Sequence, residues 1–500
     1  MAKYKIKDYP ATINKAVYRV SNFLNGLSLE YDDGVLAPSF ACMTYNWDFT
    51  GGSLKTSLGF SEGLLEFFSE NVRNDIENQL ESIGSIIKIF VYRNYDNEND
   101  KRSDKLLLLS HDLSLFIIDI KGENTTLSRV RNITFTSVPN AISYRLNGHD
   151  VLIFTSPTDN MVVYDGENYP YEVLDAPKVS SMDLHFERLF VTTMGEKAQV
   201  LFSNDLDPTN WSINLDEAGF IEMVDERGAL NRVISFNDYL YVFRDYGISR
   251  ITAFGDQEGF SVSHLFVSSA KIFPNSVCVC GDRILFLASN GLYSFDGYTA
   301  TKILSELENL FEQNNLAAHG AYFKGKYYLC LNLKFDESDY FNEEGFACNC
   351  LLEFEPKTGK YKIVRGVDII HIQPVIVAFK EEIYFCARRN KTENYKVVTL
   401  NNLGKFLDKP LFKSWKTGFY NAGKNNKRKC LRSISLDCSS GVSIRVVSNT
   451  GEKATINPSH GAGTYNLMLF GSKFSFEFYC DSDIGYVLSP ELTLVIGGDS

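Results

Sequence analysis

The chain is 500 residues long, 44% hydrophobic and 22% charged, with a formal net charge of -12. That length exceeds what one ordinary core supports, so several domains or one large repetitive array is expected, and the composition excludes a disordered chain. The acidic balance argues against a general nucleic-acid or anionic-membrane binder, which needs clustered Lys and Arg to release counterions, although it permits a wall to which passing DNA does not adhere.

Residues 1–10 are polar and lack the apolar core of a secretory signal, and no uncharged run is long enough to span a bilayer. Synthesis and retention in the cytosol are therefore expected, and the 10 Cys read as small buried hydrophobes rather than a disulfide framework. Cys278 and Cys280, like Cys348 and Cys350, are spaced by two, which puts each pair on one face of a strand. With no CxxC pair and 7 scattered His, no metal site and no cofactor are expected. The 37 Phe and 27 Tyr, with frequent Val, Ile and Thr, favour strands.

In chain order, the first element is a helix over 61–83. Leu64, Leu65, Phe68, Val72, Ile76, Leu80 and Ile83 recur there at steps of three and four. A repeat follows, each copy a polar turn, an apolar run, a second turn and a second apolar run. Copies start near Leu106, Val151, Leu189, Leu240, Ile284, Tyr327 and Ile383, at steps of 45, 38, 51, 44, 43 and 56 residues. Such steps fit four-stranded propeller blades of roughly 40 to 50 residues. The plainest copy runs from Ile284 through Ser289-Asn290-Gly291 to Asp296-Gly297, a hairpin signal, and a similar one ends at Asp165-Gly166. A second short helix is expected over 303–311, with Ser305 able to cap it.

After Leu400 the rhythm stops, and strands expected at 430–436, 442–447, 465–470, 474–479 and 486–496 suggest a compact sandwich or jelly roll. The fold class is thus all-β: a six- or seven-bladed β-propeller at 85–405, preceded by a joining segment at 1–84 with its helical insertion, and followed by a C-terminal β-sandwich at 406–500.

Residues 202–211 read FSNDLDPTNW. Asp205 and Asp207 are placed to make Asx turns, Pro208 fixes its own φ, and Trp211 is placed to close the loop against a neighbouring blade. This is a structural loop rather than a calcium site, which gathers six to eight oxygens. The densest basic run is Lys424, Lys427, Arg428 and Lys429, either a solvated hairpin tip or a subunit contact.

FSNDLDPTNW resembles a loop of β-propeller proteins in tailed-bacteriophage virions. The opening at 23–60, with Asn25-Gly26-Leu27, Gly51-Gly52-Ser53-Leu54 and Leu58-Gly59, is similar to that family. So are 288–310 (ASNGLYSFDGYTATKILSELENL), 318–331 and 415–434 (WKTGFYNAGKNNKRKCLRSI). The resemblance implies a non-enzymatic structural subunit of the tail-hub, nozzle or tail-accessory kind, located in the virion after assembly in the host cytoplasm. Its implied partners are other copies of itself in a ring, portal, adaptor and tail proteins, and genomic DNA that passes without sequence-specific binding. The acidic insertion at 336–345 and the helix at 61–83 depart from the family pattern.

Two rival readings stand beside this one. A propeller-fold glycosidase would pair two carboxylates across a cleft, but no motif pairs the acids here, and no nucleophile elbow, HExxH or phosphate loop occurs, so no catalytic residue is assigned. A receptor- or glycan-binding tail protein would present exposed aromatics on the sandwich. Phe474, Phe476, Phe478 and Tyr479 are the candidates, the first three alternating onto one face.

Overall fold

A computed structural model describes all residues except 1–13, 21, 29–38, 94, 97–100, 103, 122–123, 167–169, 195–197, 214–217, 225, 336–339, 378, 422–426 and 497–500. The chain divides into two compact units, 60–361 with 365–401, and 1–59 with 362–364 and 402–500.

Among the described residues, seven antiparallel sheets repeat one four-strand pattern. Blade 1 pairs Ile86–Tyr92, Lys105–Ser110, Leu115–Asp119 and Thr126–Arg129, and blade 2 pairs Asn140–Leu146, His149–Thr155, Met161–Tyr164 and Tyr171–Val173. The inner strands of blades 3 to 7 are Val179–His185, Leu230–Phe236, Cys278–Val279, His319–Phe323 and Asp368–Val377. Each inner strand neighbours the next, directly or through the short 3-10 turn Pro274–Ser276, and the seventh returns to the first. At that seam His371 Nε2 donates to the Ile89 carbonyl at 3.0 Å, and Asp104 N to the Ile376 carbonyl at 2.8 Å. The sheets therefore form a closed seven-bladed β-propeller. Radial repetition leaves each inner strand with only a short edge, protected by its neighbours around the axis.

The fourth strand of blade 7 comes from the other end of the unit. Gly59–Glu62 lies beside Lys396–Asn401, with Asn401 Nδ2 donating to Ser61 Oγ at 2.8 Å. Residues 61 and 62, at the end of that strand, are thus extended where the apolar spacing suggests helix, and the α-helix is confined to Arg73–Ile83, after a 3-10 turn at Leu65–Phe67. Pairing across the ring outweighs the local period. The helix packs Ile76 into the core shared by blades 1 and 7, with Leu64, Phe68, Ile86 and Val375. At 305–310 a 3-10 turn forms, preceded by Leu304 in the left-handed region, and Ser305 makes no cap hydrogen bond.

Apolar faces from adjacent blades fill each seam. Phe243 and Phe286, both fully buried, meet edge to face at 5.3 Å between blades 4 and 5. Two Asp-Gly turns take a tyrosine from the preceding blade. Tyr92 O–H donates to the Asp165 carbonyl at 2.5 Å, and Tyr241 O–H to the Gly297 carbonyl at 3.2 Å. Gly166 and Gly297 have φ of 82° and 100°, and an added Cβ would stand 2.6 Å from Tyr92 Cζ and 2.9 Å from Tyr241 Oη. Only glycine fits both the turn and the ring lying on it.

The second unit is a two-sheet sandwich. One sheet carries Tyr486–Ile496, Lys429–Cys438 and Gly461–Gly471; the other carries Lys413–Lys416, Phe474–Cys480, Val442–Ser448 and Lys453–Ile456. The strands Asn14–Arg19, Met43–Tyr45, Trp47–Asp48 and Leu54–Thr56 complete them. The sandwich is therefore built from both ends of the chain, where the sequence suggests a purely C-terminal domain and a 1–84 segment joined to the propeller. These N-terminal strands are two to six residues long, too short for a clear alternation. Its core centres on Trp47 and Trp415, with Phe23 5.1 Å from the Trp415 ring.

Candidate functional site

The loop at 202–211 ends the third strand of blade 3 and is held by its own polar groups. Asp207 Oδ1 accepts from Thr209 N at 3.0 Å and Thr209 Oγ1 at 2.6 Å. Trp211 Nε1 donates to the Pro208 carbonyl at 3.1 Å, and its ring packs on the core shared by blades 2 and 3. Asx contacts come from Asn204, Asp207 and Asn210. Asp205 contributes its amide, which donates to Asn204 Oδ1 at 2.6 Å, where its carboxylate was expected to act. No group of three or more His, Cys, Asp or Glu placed to hold a metal occurs among the described residues, and the ten cysteines are free thiols.

The basic run does not act as one patch. Lys424 lies outside the described residues. Lys427 and Arg428 precede the strand, Arg428 with its guanidinium 5.3 Å from the Phe470 ring centroid. Lys429 opens the strand and is buried, its Nζ donating to the Ser472 carbonyl at 2.8 Å. It is a core cation of the sandwich rather than a subunit contact, because the alternation of the strand turns it inward. Phe474, Phe476 and Phe478 are likewise buried and Tyr479 is half-buried, so three of the four aromatics a glycan binder would present lie in the core. The sandwich does carry an open groove of about 670 Å³ lined by Arg19, Ser435, Asp437, Thr464 and Glu491. Of the acidic insertion, Glu343 is folded back onto Arg365, with Nε donating to Oε1 at 2.7 Å and the guanidinium 4.0 Å from the Phe335 ring centroid.

The densest chemistry outside those loops lies on the propeller axis, where each inner strand contributes one residue near its start: Lys88, Asn140, Ser180, Arg232, Cys278, His319 and His371. Lys88 Nζ donates to the Pro139 carbonyl at 2.7 Å and to Asn140 Oδ1 at 2.8 Å, and Asn140 Nδ2 to the Ser180 carbonyl at 3.1 Å. The His319 and His371 rings meet edge to face at 4.7 Å. Burial and then the Arg232 charge bring Lys88 down to about 7. Burial, then Lys88 and Arg232, hold His319 at about 3, and His371 is pushed well below the usual histidine range by burial, His319 and Lys88. Arg232 Nε and His319 Nδ1 are buried without a hydrogen-bond partner. Beyond this collar, a cavity of about 330 Å³ opens along the inner strands of blades 7, 1 and 2, lined by Val91, Arg93, Ala141, Ser143 and Gln373.

No sequence motif marks the collar, because its members are single polar residues interrupting apolar runs, as in IIKIFVY and DIIHIQ. Such a residue becomes a signal only once seven inner strands are aligned on one axis.

No family model matches the chain, and no curated protein does. Among solved structures, it is similar to the N-terminal part of BBS1 in complex with ARL6, with 11% identity over 60% of this chain and 86% of that one, and a TM-score of 0.39. The Pan2 WD40 domain of Neurospora crassa is similar at 9% identity over 63% and 94%, TM-score 0.37. Kluyveromyces lactis Hsv2 is similar at 8% over 56% and 98%, TM-score 0.34. Likeness at this level says nothing of what the chain does, and the propeller assignment stands on strand order and ring closure. Among the described residues, no helix is long and apolar enough to cross a membrane.

Proposed function

We propose that this chain is a structural subunit of a tailed-bacteriophage virion, acting by position in a tail-hub or nozzle-like ring and carrying out no turnover chemistry. The observation that carries this reading is the sequence resemblance at 23–60, 202–211, 288–310, 318–331 and 415–434. A rigid disc whose strand edges are short and protected leaves its loops free for neighbours, which suits a ring subunit. Identical heterologous contacts close into a ring or else propagate as filaments. DNA would pass through the hole of the assembled ring, where the net charge of -12 keeps phosphates from adhering. The partners are then further copies of the chain with portal, adaptor and tail proteins, in the virion after assembly in the host cytoplasm. The rival, a receptor- or glycan-binding tail protein, finds its one support in the open polar groove of the sandwich.

Labelling the C-terminus and imaging purified particles tests the proposal. Label is expected in a ring on the portal-tail axis. Label on peripheral fibres alone favours the receptor binder, and particles without label overturn the virion reading.

A further inference from the structure

We propose that the axial collar binds a small oxyanion, with Lys88, Arg232 and His319 as its donors. The collar gathers cations and neutral imidazoles from separate blades, and among the described residues charge of one sign collects there without a bonded counterion. One carboxylate, Asp183, lies close enough to Arg232 to feel its charge. Its oxygens are already engaged, Oδ2 accepting from Ser235 N at 2.7 Å and Oδ1 from Leu184 N at 2.9 Å. Cys278, the collar thiol, also lies in the field of Arg232.

Three features point to an anion in particular. Arg232 Nε and His319 Nδ1 are buried polar atoms that no group among the described residues satisfies, and an unmet buried donor is costly. Lys88 has three donors, and two are spent on Pro139 and Asn140, which hold the ammonium in place and leave one over. The cations also depress one another's protonation, and a bound negative charge would reverse that repulsion. The cavity along blades 7, 1 and 2, with Arg93 on its wall, lies further along three of the same inner strands and gives a small ion room beside the collar. Phosphate, sulfate and carboxylate share the required chemistry, compact oxygens accepting from a guanidinium and an ammonium. This inference is independent of the virion reading, since it concerns the channel within one propeller.

The test is titration calorimetry of the full chain at constant chloride, with inorganic sulfate and acetate as probes, because neither changes charge between pH 6 and 8. One saturable site per chain is expected, tighter at pH 6 than at pH 8, with proton uptake when compared across buffers of different ionisation enthalpy. Sulfate alone binding would assign a tetrahedral anion, and acetate alone a carboxylate. Arg232→Gln should weaken binding about tenfold or more, the value of a charge-assisted hydrogen bond. Should that variant fail to fold, His319→Gln and Lys88→Met carry the test. No saturable binding of either probe overturns the proposal, as does binding unchanged in every folded variant.

Discussion

Asp368 is fully buried at the start of the blade 7 inner strand, and four donors converge on it. Oδ1 accepts from Ala347 N at 2.9 Å and Cys348 N at 3.1 Å, both from the segment leading into the third strand of blade 6. Oδ2 accepts from Arg388 Nε at 2.9 Å and Tyr395 O–H at 2.6 Å, both in blade 7. Asp368→Ala takes the acceptor from two amides, a hydroxyl and the Nε–H of Arg388, a largely buried guanidinium whose other two nitrogens still donate to the Lys391 and Gly345 carbonyls. Removing one partner of a buried ion pair costs about 3–5 kcal/mol, and that loss is expected here. Tyr395→Phe removes one charge-assisted bond and should cost about 1.5–3 kcal/mol. In Asp368→Asn the Oδ1 amides survive while the new amide nitrogen faces Arg388 donor to donor, so its cost should fall between the other two. Urea unfolding followed by circular dichroism measures all three. An Asp368→Ala loss under about 1 kcal/mol, typical of a surface substitution, would refute the reasoning, as would Tyr395→Phe equalling it.

Gly166→Ala should cost about 1–3 kcal/mol through overpacking against Tyr92, whereas Gly148→Ala, with similar φ but nothing within 4 Å, should show only the smaller left-handed strain; thermal melts of the pair separate clash from strain. His319 sits at about 3 against an ordinary 6.5, so between those values the unfolded chain holds a proton the folded one lacks, and stability should fall as pH drops through that window. Lys88, at about 7 against 10.5, has the extra proton on the unfolded chain between pH 7 and 10.5, so stability should rise with pH there. Urea midpoints against pH should lose the lower slope in His319→Gln and the upper in Lys88→Met; unchanged slopes would contradict the buried collar. Asp207→Ala, which deletes two hydrogen bonds of the 202–211 loop, should cost about 1 kcal/mol without altering the far-ultraviolet spectrum.

All seven repeat starts read from the sequence, Leu106 to Ile383, fall on the second strand of a blade. That strand is legible because both its faces are buried, which gives runs such as KLLLLS and ILFLA. The inner strands were missed for the opposite reason. They face the axis and mix polar residues with apolar ones without a clean alternation, as in VSSMDLH and HGAYF, so the sequence does not separate them from loops. The five C-terminal sandwich strands are legible from the turn signals between them, but most of their N-terminal partners are recognisable only through pairings with strands far downstream, such as Ala16 with Leu494 and Met43 with Lys416. Single-sequence reading also gives no direction to a lysine at the edge of a strand, and Lys429 points inward.

The strand Gly59–Glu62 has a consequence for how the protein is made. Its neighbour in blade 7 lies far downstream, Ser61 and Asn401 being 340 positions apart. At translation rates of about 5–20 residues per second, the early strand waits roughly 20–70 s for its partner to leave the ribosome. Throughout that interval blade 7 does not exist, and the exposed side of blade 1 is a bare seam carrying Leu106, Leu108 and Ile118, residues that finish buried against blade 7. The nascent chain is therefore an open arc with a sticky end, and a strand from a second chain could fill the vacancy as well as its own. Fast synthesis or a holding chaperone should raise the yield of monomer, and crowded polysomes should favour strand-exchanged pairs.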